Sequence, residues 1–116
     1  MQAVLPVTGL PPAPADAAAA FHADWLARAR MKIAQVDGED RALLLLLPEA
    51  DHTHAEWRLA VAAMLAREAA PVRVNLVGCD DAAAAEKFAL YLAAAPGVTG
   101  QYLPANFQLG REEAAT

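Results

Sequence analysis

Two short polar clusters hold most of the side chains in this chain that can do chemistry. Asp51, His52 and His54 follow a run of five leucines, and Cys79, Asp80 and Asp81 follow a second apolar run that reads RVNLV. Imidazole, thiolate and carboxylate are the donors that hold zinc and related transition metals. His52, His54 and Cys79 are therefore the candidate metal ligands, with Asp51 and Asp80 beside them. A histidine placed there also has the intrinsic basicity for general-base work. The pattern is sparse, however, because neither Cys-x-x-Cys nor His-Glu-x-x-His accompanies the His-x-His. The plainer reading, which we prefer, is that His52 and His54 open a helix at the surface and Cys79 is a small buried residue. The third histidine, His22, has no partner nearby in sequence. Counting excludes other chemistries. The chain contains no serine, which removes a serine acyl-transfer triad. Its six glycines, Gly9, Gly38, Gly78, Gly97, Gly100 and Gly110, never cluster into a phosphate cradle.

A parallel sheet is what would bring the two clusters together. Residues 42–47 are an uninterrupted aliphatic run stopped by Pro48, the pattern of a parallel strand buried on both faces. Residues 72–77 form the next strand. Open parallel sheets bind ligands beyond the carboxyl ends of their strands, which is where both clusters fall. Residues 2–7 read as a first strand, closed by Thr8-Gly9 and then by Pro11, Pro12 and Pro14, which forbid an immediate helix. A helix is expected from about Asp16, with Phe21, Trp25 and Leu26 at helical spacing. Residues 31–36 either continue it or pair as a strand through Asp37-Gly38-Glu39-Asp40; the helix is preferred. Thr53 and Glu56 have the spacing of a capping box for a helix carrying Trp57, Val61, Met64, Leu65 and Glu68 on one face. Asp80 and Asp81 suit the start of a last helix that runs through Phe88 and Leu92 and stops at Pro96-Gly97. Residues 100–103 are then a short final strand, and residues 106–116 a loosely ordered tail.

At 116 residues the chain suits a single domain, expected over residues 1–105. A net charge of −5, with nine Lys and Arg that form no stripe, argues against a nucleic-acid partner. One cysteine, Cys79, makes no internal disulfide and suits a cytoplasmic location. Residues 1–12 lack a basic leader, and the longest aliphatic run, residues 43–47, is far below spanning length, so no membrane partner is expected.

The phrases LAREAAPVRVNLV at residues 65–77 and YLAAAPGVTGQYL at residues 91–103 resemble the second half of a short-chain dehydrogenase, over about residues 51–104. In that family a helix ending in LAxE-AP feeds a strand reading RVN-V, and a last strand opens TGQ-L. The resemblance implies a truncated Rossmann-like parallel sheet of about four strands with flanking helices, equivalent to the fourth to seventh strands of the enzyme. It does not carry the chemistry with it. The positions matching the family's catalytic Tyr and Lys hold Asp51 and Ala55, and no Tyr-x-x-x-Lys pair occurs anywhere. The NNAG phrase is absent, and Gly78-Cys79-Asp80-Asp81 stands where the family has a Pro-Gly pair. No nicotinamide cofactor is expected.

Right-handed crossovers between strands in sequential order put every helix on one face. The other face of the five-leucine strand then needs a cover: the Pro-rich segment, the tail, an unusual crossover or a second subunit. Enzymes of the resembled family pair through helices that correspond here to residues 16–34 and 54–69. Phe21, Trp25, Trp57, Val61 and Met64 are accordingly the expected oligomer interface. The leading expectation is a non-catalytic interaction module that forms a homodimer or tetramer, or docks on an intact dehydrogenase relative. A small-ligand or metal-binding domain built on Asp51, His52, His54, Cys79 and Asp80 is the alternative, and an enzyme with a rearranged histidine site the second alternative.

Overall fold

A computed structural model describes residues 1–109 of the chain. Along it run β1 (Gln2–Pro6), α1 (Pro14–Asp24), α2 (Leu26–Gln35), β2 (Ala42–Leu47), a 3-10 turn (His52–His54), α3 (Ala55–Ala69), β3 (Arg73–Gly78), α4 (Ala82–Ala93) and β4 (Tyr102–Pro104). The four strands make one parallel sheet in the order β1-β2-β3-β4, with Ala42 of β2 paired to Gln2 on one side and Arg73 on the other. This is the α/β Rossmann-like arrangement expected from the sequence.

The leucine run becomes the inner strand because strand side chains alternate between the faces of a sheet. Leu43, Leu45 and Leu47 join Leu5, Val7, Val74 and Leu76 in a core under α1, α2 and α3, which contribute Phe21, Ala29, Val61, Ala62 and Leu65. Leu44 and the half-buried Leu46 point the other way, toward Val77, Leu103, and Phe88 and Leu92 of α4. Each fully buried leucine contributes about 1.5–3 kcal/mol, so both faces of β2 are strongly specified.

The second cluster settles what covers the far face of the leucine strand. It is α4, with Leu109 beside it, so that cover needs no second subunit. All strands point one way and step one way across the sheet, yet α1, α2 and α3 lie on one face and α4 on the other. The β3-α4-β4 connection is therefore of opposite hand to the two before it, an exception to the usual preference.

Several local expectations need correction. Pro14 does not delay the first helix but begins it, because a first-turn proline lacks only an N–H that has no helical partner. Residues 31–36 continue in helix as far as Gln35, but the helix is broken at Trp25 into α1 and α2. Thr53 does not cap α3. No side chain caps it; a 3-10 turn precedes the helix, and Asp51 caps that turn, its carboxylate accepting from the Thr53 backbone N–H at 2.9 Å and from the Thr53 hydroxyl. The last strand starts at Tyr102, after Gly100 has turned the chain with φ +73 and donated its N–H to the Val74 carbonyl at 2.7 Å. The expected oligomer interface is also altered. Phe21 (0% exposed) and Val61 (2%) are enclosed in the chain's own core, and Trp25, Trp57 and Met64 pack against it. Of the tail expected at 106–116, residues 110–116 lie outside the described residues.

Candidate functional site

The carboxyl ends of β2, β3 and β4 meet at one end of the sheet, as a parallel ladder requires. Residue 79 continues the β2-β3 pairing, its N–H donating to the Leu47 carbonyl at 3.0 Å. Asp80 then accepts from the Glu49 N–H at 3.0 Å and ties the two strand-end loops together. Asp81 caps α4 by accepting from the Ala84 N–H at 2.9 Å. The two clusters singled out in the sequence are thus neighbours, but their side chains other than His52 are employed structurally.

His54 is buried, and both its ring nitrogens are engaged. The Trp57 indole N–H donates to Nδ1 at 3.0 Å, which leaves Nε2 to carry the hydrogen and donate to the Pro12 carbonyl at 3.0 Å. The imidazole therefore fastens the Pro-rich loop to α3. Cys79 is buried with its thiol on the Asp81 carbonyl at 3.4 Å, whereas His52 is exposed. Among the described residues no group of three or more His, Cys, Asp and Glu side chains is placed to hold a metal ion. His52, His54 and Cys79 do not form a ligand set, because one is sealed by its hydrogen bonds and another faces a backbone carbonyl. The Asp51 carboxyl is held below its usual range, first by the Thr53 hydroxyl and then by the Thr53 N–H. His22 bonds within its own helix, to the Ala18 carbonyl at 2.8 Å.

What the sequence reading passed over is Arg58. It lies 2% exposed beneath these loops, where Nη1 donates to the Pro48 carbonyl at 2.8 Å and to the Tyr102 hydroxyl at 3.1 Å. Its guanidinium also lies 5.5 Å from the ring centres of both Trp57 and Tyr102. The signal was present: Arg58, Val61, Ala62 and Leu65 follow the i, i+3, i+4, i+7 spacing, so a charge sits on the apolar stripe of α3. Gly78 makes room for it. A Cβ there would stand 2.7 Å from Arg58 Nη1 and 2.7 Å from the Tyr102 hydroxyl.

Two cavities open beside this group, sharing Glu49, Ala50 and Asp51 as a common wall. One, of about 400 Å³, lies toward His52, Tyr102 and Asn106. The other, of about 270 Å³, is bounded by Leu10, Pro11, Pro12, Ala17, His54 and Arg58.

A sequential parallel sheet with helices on both faces and cavities at its carboxyl end defines a small Rossmann-like α/β protein. A family model described as short chain dehydrogenase-like protein matches residues 5–105. The chain belongs to that family, and the match reaches back to β1, well beyond the phrases that carried the resemblance. No curated protein and no solved structure matches it. No helix among the described residues is long and apolar enough to cross a membrane.

Proposed function

We propose that this chain is a non-catalytic member of its family that works as an oligomeric interaction module, pairing with a second copy through the helical side formed by α1, α2 and α3. The observation that supports this reading is the outward surface of those helices. Leu59 is 48% exposed on α3 and Met31 61% exposed on α2. A groove of about 340 Å³ between α1 and α3, lined by Pro14, Ala15, Ala18, Trp57 and Ala60, offers the small residues that let a further helix approach closely. The same helices pair subunits in the enzymes that the sequence resembles.

The non-catalytic part of the reading rests on Asp51 and Ala55, which occupy the positions of the family's Tyr and Lys, and on the structural employment of His54 and Cys79. Asp51 accepts hydrogen bonds from Thr53.

Sedimentation velocity on the full chain tests the assembly. The expected result is a dimer or tetramer at micromolar concentration that Leu59→Glu converts to monomer without loss of helical circular dichroism. A wild-type chain that stays monomeric at about 100 μM, weaker than the affinities of most specific assemblies, overturns the reading.

A further inference from the structure

The two buried arginines among the described residues are treated differently. Arg73 has a carboxylate, Asp40, at 3.1 Å, and also donates to the Leu92 and Ala95 carbonyls at 2.9 and 3.0 Å. Arg58 is more deeply buried and has no ion pair among the described residues. A guanidinium carries five N–H donors. Here both accepting groups, Pro48 O and Tyr102 Oη, are taken by Nη1, and Nε is buried with no partner. Of the unfilled donors among the described residues, Nε is closed off from solvent, which leaves Nη2 as the one a carboxylate in the cavity can take with a charge-assisted hydrogen bond. A buried charge without a counter-charge is costly, and this one borders the 270 Å³ cavity.

From this we infer that the cavity beside Arg58 is a binding site for a small aliphatic monocarboxylate. The carboxylate supplies the missing counter-charge, and Leu10, Pro11, Pro12 and Ala17 give its hydrocarbon end an apolar wall. Glu49 and Asp51 at the shared wall set the charge preference, because their repulsion grows with each charge on the ligand and so disfavours a dianion such as phosphate. The Tyr102 hydroxyl and Gly78 keep the guanidinium in place rather than contact the ligand. This site is independent of how the chain assembles.

The test is a nitrogen-15 NMR titration of the full chain with butyrate and, at matched ionic strength, with inorganic phosphate. The reporter is the Arg58 Nε–H signal, assigned by its loss in Arg58→Lys. A saturable shift with a dissociation constant on the order of 1 mM is expected for so small a ligand. Phosphate should bind at least about tenfold more weakly. Since Arg58→Lys can also disturb the core, Ala50→Glu supplies the second variant: it adds a carboxylate on the loop that walls both cavities, and should weaken butyrate by at least about tenfold while the rest of the spectrum stays folded. No saturable shift up to about 100 mM butyrate, far above the expected constant, overturns the inference. So does unchanged butyrate binding in folded Ala50→Glu, or phosphate binding as tightly as butyrate.

Discussion

Arg58 and Gly78 show how a single side chain and a missing one depend on each other. The guanidinium is held between the end of β2 and the tyrosine of β4, in a space that exists only because residue 78 has no Cβ. Gly78→Ala should therefore act as overpacking. Moving the arginine tip breaks its hydrogen bond to the Pro48 carbonyl and the tyrosine ring is stiff, so a loss of about 1–3 kcal/mol is expected, read by urea denaturation. Tyr102→Phe in the same background should recover part of it, because the hydroxyl is one of the two atoms the new methyl meets. Little of this was legible beforehand. Sequence spacing located the strand-end clusters correctly, since residue order along adjacent parallel strands fixes where their ends lie. It did not reveal that His54 and Cys79 would be consumed by backbone carbonyls, because those partners come from the Pro-rich loop and the α4 cap. Nor did it single out Arg58, whose carbonyl and hydroxyl partners come from the end of β2 and from β4.

At the scale of elements, helix ends and helix pairs make separable contributions. Asp81 accepts from the Ala84 N–H and stands at the positive end of α4. Asp81→Ala is expected to cost about 1 kcal/mol, as loss of an N-cap does, visible as a lower thermal midpoint. Asp80, although adjacent, holds the Glu49 loop instead, so Asp80→Ala should leave α4 intact. Between α2 and α3, Arg30 Nε and Nη2 donate to the two oxygens of Glu68 at 2.6 and 3.0 Å. The Glu68 carboxyl is held below its ordinary value of 4.5, chiefly by the hydrogen bond from Arg30 and less by its charge. A carboxylate shifted down in the folded state stabilises it above the unfolded pKa and loses that contribution as pH falls through the lower folded one. Both side chains are nearly half exposed, so the effect is small and weakened by salt. Below pH 4.5 the stability difference between wild type and Glu68→Gln should shrink toward zero, which parallel urea titrations would detect. The helix boundaries themselves were readable to within a turn, since propensity and proline placement are local. The break at Trp25 and the 3-10 entry to α3, which Asp51 caps, were not.

Over the whole molecule, the β1 edge of the sheet bears on assembly. β1 is an edge strand, and hydrogen bonds from Ala42 N to Met1 O and from Val7 N to Leu46 O point the odd residues' peptide groups inward. Gln2, Val4 and Pro6 therefore turn theirs outward. Val4 is 42% exposed there, while Pro6 offers no N–H to a further strand. If pairing runs through the helices, Val4→Lys should leave the oligomer seen by sedimentation unchanged, whereas Leu59→Glu should abolish it. An oligomer lost in Val4→Lys alone would move the interface to the strand edge. Strand alternation in the leucine run made the two-sided core legible, but the handedness rule predicted a bare face that α4 in fact covers.

The strictly parallel ladder also governs how fast the chain can reach this state. Among the described residues no strand pairs with a neighbour through a tight turn: Gln2 meets Ala42, Ala42 meets Arg73, and Leu76 meets Tyr102, each across intervening helix. Every rung must close a long loop before any burial rewards it. Refolding should consequently begin with helical signal that precedes burial of the tryptophans, and should be slower than in a helical bundle of equal length.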